Sequence, residues 1–373
     1  RKALSFTTSF KLSSAKRITA PLKHSLGVSA SLGMSAVVIV TAVFGQSGNS
    51  AIAQIPPSVE ITTQKASIQT NSTETILYVD PKNGNDATAD GTDRAPFRTL
   101  TQALQVAQPN TSILLAPGTY SADTGEIFPI SLKPRVKVQG NSADERGQRV
   151  IIRGGGVFES PSGSRNIAIL GGANQAMLSG VTVTNPNGYG IQVESSNPTI
   201  MNNTFTGNGI GGMVLVGNSA SILYNNVLSD NVTSGILLIG SSRPKIDSNR
   251  FERTGIAIIA DERSAPTIVE NQIVQNLDGV VVKGQALPDL QKNTIEKNER
   301  YGLWAIATAS FDVERISKTG DNTIKDNGKE DISRADLSSE QAPAEQNSAA
   351  KVTANQPQPA NATSSNGGEA IGD

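Results

Sequence analysis

The side chains of this chain best suited to chemistry are carboxylates. Glu252 and Glu296 sit in similar surroundings, "RFERTG" and "NTIEKN", and each is followed by a base, Arg253 and Lys297. Two carboxyls about 5–10 Å apart are the machinery of glycoside hydrolysis, one protonating the leaving oxygen while the other attacks or activates water. More charge gathers in "DERS" (261–264) and "EKNER" (296–300). The competing reading of all these residues is a solvated face laced with ion pairs, and a charge run is more commonly that. Tyr301, Trp304 and Phe311 concentrate the scarce aromatics, 4% of the chain, in the same region. Exposed, Tyr301 and Trp304 would stack on sugar faces; buried, they would plug one end of a core.

Composition removes other chemistries. Cys is absent, which excludes disulfides and thiolate sites, and the one His, His24, lies in a leader expected to be cleaved. Ser-His-Asp catalysis and histidine zinc sites are then unavailable. "GNGIGG" (207–212) has the spacing of a dinucleotide loop, but it leads into the β-prone "MVLV" and not into a helix, so no nucleotide is expected.

A second group of acids crowds "YVDPKNGNDATADGTDRAPF" (78–97), where Asp80, Asp86 and Asp90 are the calcium candidates. An EF-hand loop requires oxygen ligands at alternate positions, and Lys82 breaks that order. A turn-rich lid, with side chains capping backbone N–H groups, fits the loop better.

The elements that must position these residues come from a repeat. Asn203, Asn226, Asn249, Asn271 and Asn293 are spaced by 23, 23, 22 and 22 residues. A second column, Gly opening an apolar run, recurs at Gly190, Gly212, Gly235, Gly255, Gly279 and Gly302. Each repeat holds short β-prone runs between Asn, Gly, Ser or Pro, with no helix. Strands coiled and stacked about 4.8 Å apart place each residue over the one a period later. Stacked Asn side chains can then satisfy one another at an inward corner. The same register should join Asp261 with Lys283, Glu270 with Lys292, and Asp278 with Arg300. Upstream, "TLTQALQVAQ" (99–108) has helical spacing of Leu100, Ala103, Leu104 and Ala107 after Thr99 as N-cap, and would close the open apolar end of the coil.

Here the opening loop finds a match. Tyr78-Val79, Gly84-x-Asp86, Gly91, Pro96-Phe97-x-Thr99, Ala103 and Pro117-Gly118-Thr119-Tyr120 resemble the N-terminal signature of secreted right-handed β-helix proteins of the pectin-lyase-like superfamily. The stretch is more closely similar to a domain of unknown function at the start of many secreted bacterial members. The resemblance implies a first strand, a tight loop, a capping helix and then coils. It implies no reaction, because the superfamily holds lyases, hydrolases, epimerases and non-enzymes. Its hydrolases use clustered Asp residues and its lyases use Asp-bound calcium with an Arg or Lys base. This chain shows neither an adjacent Asp-Asp motif nor a lyase signature.

The expectation is therefore all-β: a single-stranded, right-handed parallel β-helix with a short N-terminal capping α-helix and a disordered tail. Residues 1–53 read as a signal peptide, with a basic leader, an apolar run (26–44) and Ala51 and Ala53 as a small-x-small cleavage site. The rival is an uncleaved membrane anchor. Cleavage removes six of the 32 Lys and Arg, so 26 face 33 Asp and Glu, a net charge near −7 that disfavours nucleic acid. Residues 54–75 read as a linker and 76–335 as the β-helix, with cap and first coils in 78–140 and regular repeats in 176–332. The Pro, Gln, Ser and Asn of 338–373 suit a disordered tail. The expected function is that of a non-catalytic β-helix protein of the envelope, periplasm or extracellular space, binding polysaccharide or another surface partner with no cofactor, calcium being the one possible ion. The alternatives are a polysaccharide lyase or glycoside hydrolase with a divergent site, and a purely structural or adhesive scaffold. An acid cluster in a groove beside exposed aromatics favours the enzyme, and a smooth face of Asn, Thr and Ser favours binding.

Overall fold

The computed structural model describes residues 74–140, 145–161, 163–306 and 320–335. The expected signal peptide, nearly all of the expected linker and the expected tail lie outside them, as does Phe311. Within them the chain winds through three sheets in turn. Sheet A runs from Thr75–Val79 to Asp289–Gln291 in nine strands. Sheet B runs in nine from Gly118–Ser121 to Thr323–Lys325, and sheet C from Ile130–Ser131 to Glu330–Ala335. Each strand pairs in parallel with those one turn before and after it. The exception is Gly156–Ser160, which leaves the stack and pairs antiparallel with Gly163–Leu170. This is a parallel β-helix, of the right-handed sense that parallel crossovers take. Thr75 opens the first strand, and Glu74 before it binds Lys137 at 2.7 Å.

Most strands of sheets A and B are three residues long because each needs only one inward side chain. In sheet A these are Leu178, Ile200, Leu223, Ile246, Ile268 and Leu290, all essentially buried. Phe205, Leu228, Phe251, Ile273 and Ile295 answer from sheet B. Fully burying one such side chain stabilises by roughly 1.5–3 kcal/mol. Small and branched residues suffice because the coil is narrow, which explains the few aromatics.

The corners repeat a two-residue device. At the A-to-B corner Asn202, Asn225, Ser248, Glu270 and Lys292 have φ between 51° and 57°. At the B-to-C corner Asp230, Arg253, Gln275 and Lys297 have φ between 48° and 58°. Such left-handed residues cost of order 1–3 kcal/mol each. The residue after each turns inward and offsets that cost. Asn226 Nδ2 donates to Asn249 Oδ1 at 3.0 Å and to Ile200 O at 2.9 Å, while Asn226 N–H donates to Asn249 Oδ1 at 2.8 Å. The expected ladder is thus in place from Asn203 to Asn293 and extends to Asn322. A second ladder, which the sequence reading missed, follows five residues later: Asn185, Asn208, Asn231, Thr254, Asn276, Asn298 and Asn327. Asp331 closes it, accepting from both Asn327 N–H and Nδ2.

At the other end helix α1 (Leu100–Val106) covers the coil with Leu100, Ala103 and Leu104 buried, and Thr99 is its N-cap, accepting from Gln102 N–H at 3.0 Å. Glu126, 4% exposed, accepts from Leu100 N–H at 2.6 Å and Thr101 N–H at 2.9 Å. Burial pushes its carboxyl up despite these bonds. Asp86 anchors the loop to the helix start, accepting from Arg98 N–H, Thr99 N–H and Thr99 Oγ1. Gly84 must be glycine, since a Cβ there would lie 2.2 Å from Phe97 O.

Candidate functional site

The corner device also decides where charge points. A left-handed residue projects outward while its Asn neighbour turns in, so the two corner rows border the outer face of sheet B with polar side chains. Between them the face carries two files set by the strand register. One reads Thr182, Thr204, Val227, Arg250, Gln272, Thr294 and Thr323. The other reads Thr184, Thr206, Ser229, Glu252, Val274, Glu296 and Lys325. Hydroxyls fill the early rungs and charges the later ones.

Residues 145–149 cross this face as a strap. Thr182 Oγ1 donates to Gly147 O at 3.0 Å, Thr204 Oγ1 donates to Arg146 O at 2.9 Å, and Arg146 Nη2 donates to Asn225 Oδ1 at 3.1 Å. The strap leaves a cavity on either side, and Arg146 lines both. One, about 350 Å³, is walled by Gln148, Thr182, Thr204, Thr206 and Val227. The other, about 470 Å³, is walled by Ser248, Arg250, Glu270, Gln272, Lys292 and Thr294. Both fall in the size range of ligand sites.

The four residues singled out for catalysis all lie on or beside this face. Glu252 and Glu296 are in register two rungs apart, with Val274 between them, hence roughly 9–10 Å by strand spacing. Arg250 Nε donates to Glu252 at 2.7 Å, and Arg253 reaches Glu252 at 2.9 Å and Asp230 at 2.9 and 3.1 Å. Partial burial raises the Glu252 carboxyl, but the bonds and charge of Arg250 and Arg253 outweigh it and hold the group below its ordinary range. The bond from Arg253 likewise holds Asp230 down. Glu296 has Lys297 at 3.5 Å and Lys325 at 4.0 Å.

Residues 82–354 match the model of a family described as protein of unknown function (DUF1565). The chain belongs to this family. Among solved structures similar to this DUF1565 protein is pectate lyase Pel9A, at 18% identity over 71% of this chain and 77% of that one, TM-score 0.46. Another is pectin methylesterase PemA from Erwinia chrysanthemi, at 10% identity over 63% and 80%, TM-score 0.35. The A-module of the mannuronan C-5 epimerase AlgE4 of Azotobacter vinelandii matches at 18% over 63% and 85%, TM-score 0.34. At these identities the likeness is one of fold. A search of curated proteins found no match.

The remaining expected sites of the DUF1565 chain lie elsewhere. Tyr301 and Trp304 are 9% and 8% exposed, with ring centroids 4.9 Å apart, packed on Val281, Ile256 and Ile306. This corrects the sugar-stacking role, since neither ring presents a free face. In the N-terminal loop the Asp80 carboxylate accepts from Lys82 N–H, Asn83 N–H and Asn83 Nδ2, and Asp90 accepts from Thr92 N–H and Oγ1. Of the three calcium candidates, Asp80 and Asp90 thus organise their own turns and Asp86 anchors the start of α1. Among the described residues no group of three or more His, Cys, Asp or Glu side chains is placed to hold a metal ion. Nor is any described helix long and apolar enough to cross a membrane. Of the three cross-rung pairs, Arg300 binds Asp278 through two hydrogen bonds and Lys292 approaches Glu270 at 3.7 Å. Asp261 instead accepts from Glu262 N–H. Sequence reasoning missed Arg146, whose loop carries no signal of the period.

Proposed function

We propose that this protein binds an extended polysaccharide along the outer face of sheet B and does not cleave it, acting outside the cytoplasm in the envelope, periplasm or extracellular space. The observation that carries the reading is the polar face on either side of the strap, where Thr184 and Thr206 give way to Arg250 and Gln272 and Arg146 lines the cavity on each side. Hydroxyl, amide and guanidinium groups repeated every rung, about 4.8 Å, suit a chain of sugar rings laid along the axis. Glu252 is ill suited to be the general acid of a paired-carboxylate mechanism. The general acid of a paired-carboxylate mechanism must stay protonated near neutral pH, and two arginines drive Glu252 the other way. A carboxyl that burial does push up, Glu126, is committed to capping α1.

The test incubates the full chain with acidic and neutral polysaccharides, with and without calcium, following both retention and release of unsaturated or reducing ends. Retention without product is expected, weakened about tenfold by Arg146→Ala, the loss of one well-placed charged hydrogen bond. Calcium-dependent product would overturn the non-catalytic reading in favour of a lyase. Neither retention nor product would leave a structural or adhesive scaffold as the better account.

A further inference from the structure

A third cavity, about 450 Å³, opens at the first rungs between the N-terminal loop and the outer face of sheet A. It shares no residue with the face of sheet B. Tyr78 and Leu114, neighbours in register on the first two strands of sheet A, line it, and Pro96 and Pro117 add apolar wall. Its polar groups include two carboxylates, Asp80 and Asp93, and its lining contains no Lys or Arg. The surroundings are fixed. Tyr120 Oη donates to Ala116 O at 2.8 Å and Val79 O at 3.1 Å, and Phe97 N–H donates to Tyr78 O at 3.0 Å.

The two carboxylates differ in what engages them. Burial opposes ionisation of Asp80, but hydrogen bonds from Asn83 and from Lys82 and Asn83 N–H prevail and hold it below its ordinary range. Asp93 is exposed, and no hydrogen bond or ion pair among the described residues engages its carboxylate. An aromatic ring, apolar walls and two acids without a lining base make a cavity that repels anions. A neutral guest gains nothing from the hydrated Asp93 carboxylate, whereas a cation meets both that charge and the negative face of an aromatic ring.

We propose that this cavity binds a small organic cation, an ammonium group on a compact body, with Tyr78 supplying the ring and Asp93 the counter-charge. An amino sugar and a quaternary ammonium headgroup share that chemistry. The test titrates the full chain with glucosamine and with tetramethylammonium, using glucose and N-acetylglucosamine as neutral counterparts, by calorimetry or ligand-observed NMR at low and high salt. Saturable binding of either cation is expected, lost with salt and weakened about tenfold by Asp93→Asn, an exposed change that spares the fold. Tyr78→Leu should weaken it similarly while keeping an apolar side chain on the strand. Binding of glucosamine alone would point to an amino sugar, and binding of tetramethylammonium to a quaternary headgroup. The proposal fails if neither cation binds, if the neutral sugars bind as well, or if Asp93→Asn changes nothing. Polysaccharide retention on sheet B should be untouched by Asp93→Asn, so the two sites fail or succeed separately.

Discussion

Truncating Asn249, the middle of the first ladder, to Ala tests how the corners are held. Asn249 is 1% exposed. Its Oδ1 accepts from Asn226 N–H at 2.8 Å and Asn226 Nδ2 at 3.0 Å, and its Nδ2 donates to Leu223 O at 2.9 Å and Asn271 Oδ1 at 3.1 Å. After truncation Asn226 Nδ2 keeps Ile200 O, and Asn271 Oδ1 keeps the Asn249 N–H. The group left without a partner is Asn226 N–H, while Leu223 O loses its second bond and keeps the one its strand register gives it. A buried group without its partner costs about 1–3 kcal/mol and each further lost hydrogen bond about 0.5–1.5 kcal/mol, so Asn249→Ala should destabilise by about 2–5 kcal/mol. For a domain of this size that lowers Tm by about 5–15 °C. Thermal unfolding followed by circular dichroism measures the total, and hydrogen exchange at the Asn226 amide localises it. The protein carries its own control in Thr254, which stands where the second ladder elsewhere has Asn and accepts from Asn231 N–H at 3.3 Å. Asn249→Thr should therefore recover about half the loss. A Tm within about 2 °C of the parent, with the Asn226 amide still protected, would refute the view that the ladder holds the corner.

Three further outcomes follow from particular contacts. Arg300→Met strands the fully buried Asp278 carboxylate and should cost about 3–5 kcal/mol in urea unfolding, largely recovered when Asp278→Leu is added. The carboxyls of Glu252 and Asp230 are held below their unfolded values of 4.5 and 3.8, so their contribution is present above those values and lost as pH falls through the folded ones. Arg253→Gln should flatten that acid-side decline by about 0.5–1 kcal/mol, the small figure reflecting half-exposed partners, as read from stability against pH. Glu126→Ala removes the acceptor of Leu100 and Thr101 N–H and should lower stability by about 1–2 kcal/mol, with exchange rising first in α1.

What could be read in the sequence follows from what the repeat repeats. The first Asn ladder, the capping helix with its Thr99 N-cap and the Asp278–Arg300 pair were legible because each follows from local pattern or from a separation of one period. The second ladder obeys the same spacing and was missed because Thr254 interrupts it and its Asn residues sit among Gly and charged neighbours. The placement of Glu252 above Glu296 was legible for the same reason of period. The strength of the arginine clamp on Glu252 was not, because it depends on two side chains reaching the same carboxylate from a strand and from a corner.

The sequence by itself determined the coil, its register, its cap and its inward side chains, since a stacked repeat converts distance along the chain into position in space. Tertiary structure alone decided what happens outside the coil. Arg146 meets Asn225 across 79 residues, a separation unrelated to the period. Tyr301 and Trp304 point away from the coil interior yet are buried, which alternation along a strand cannot foretell. The cavity beside Tyr78 exists because a loop rich in turns folds back over the first rungs, held by Asp86 and by the Phe97 backbone. Inward positions are fixed by the closeness of neighbouring rungs, whereas outward ones depend on whichever segment comes to rest against them.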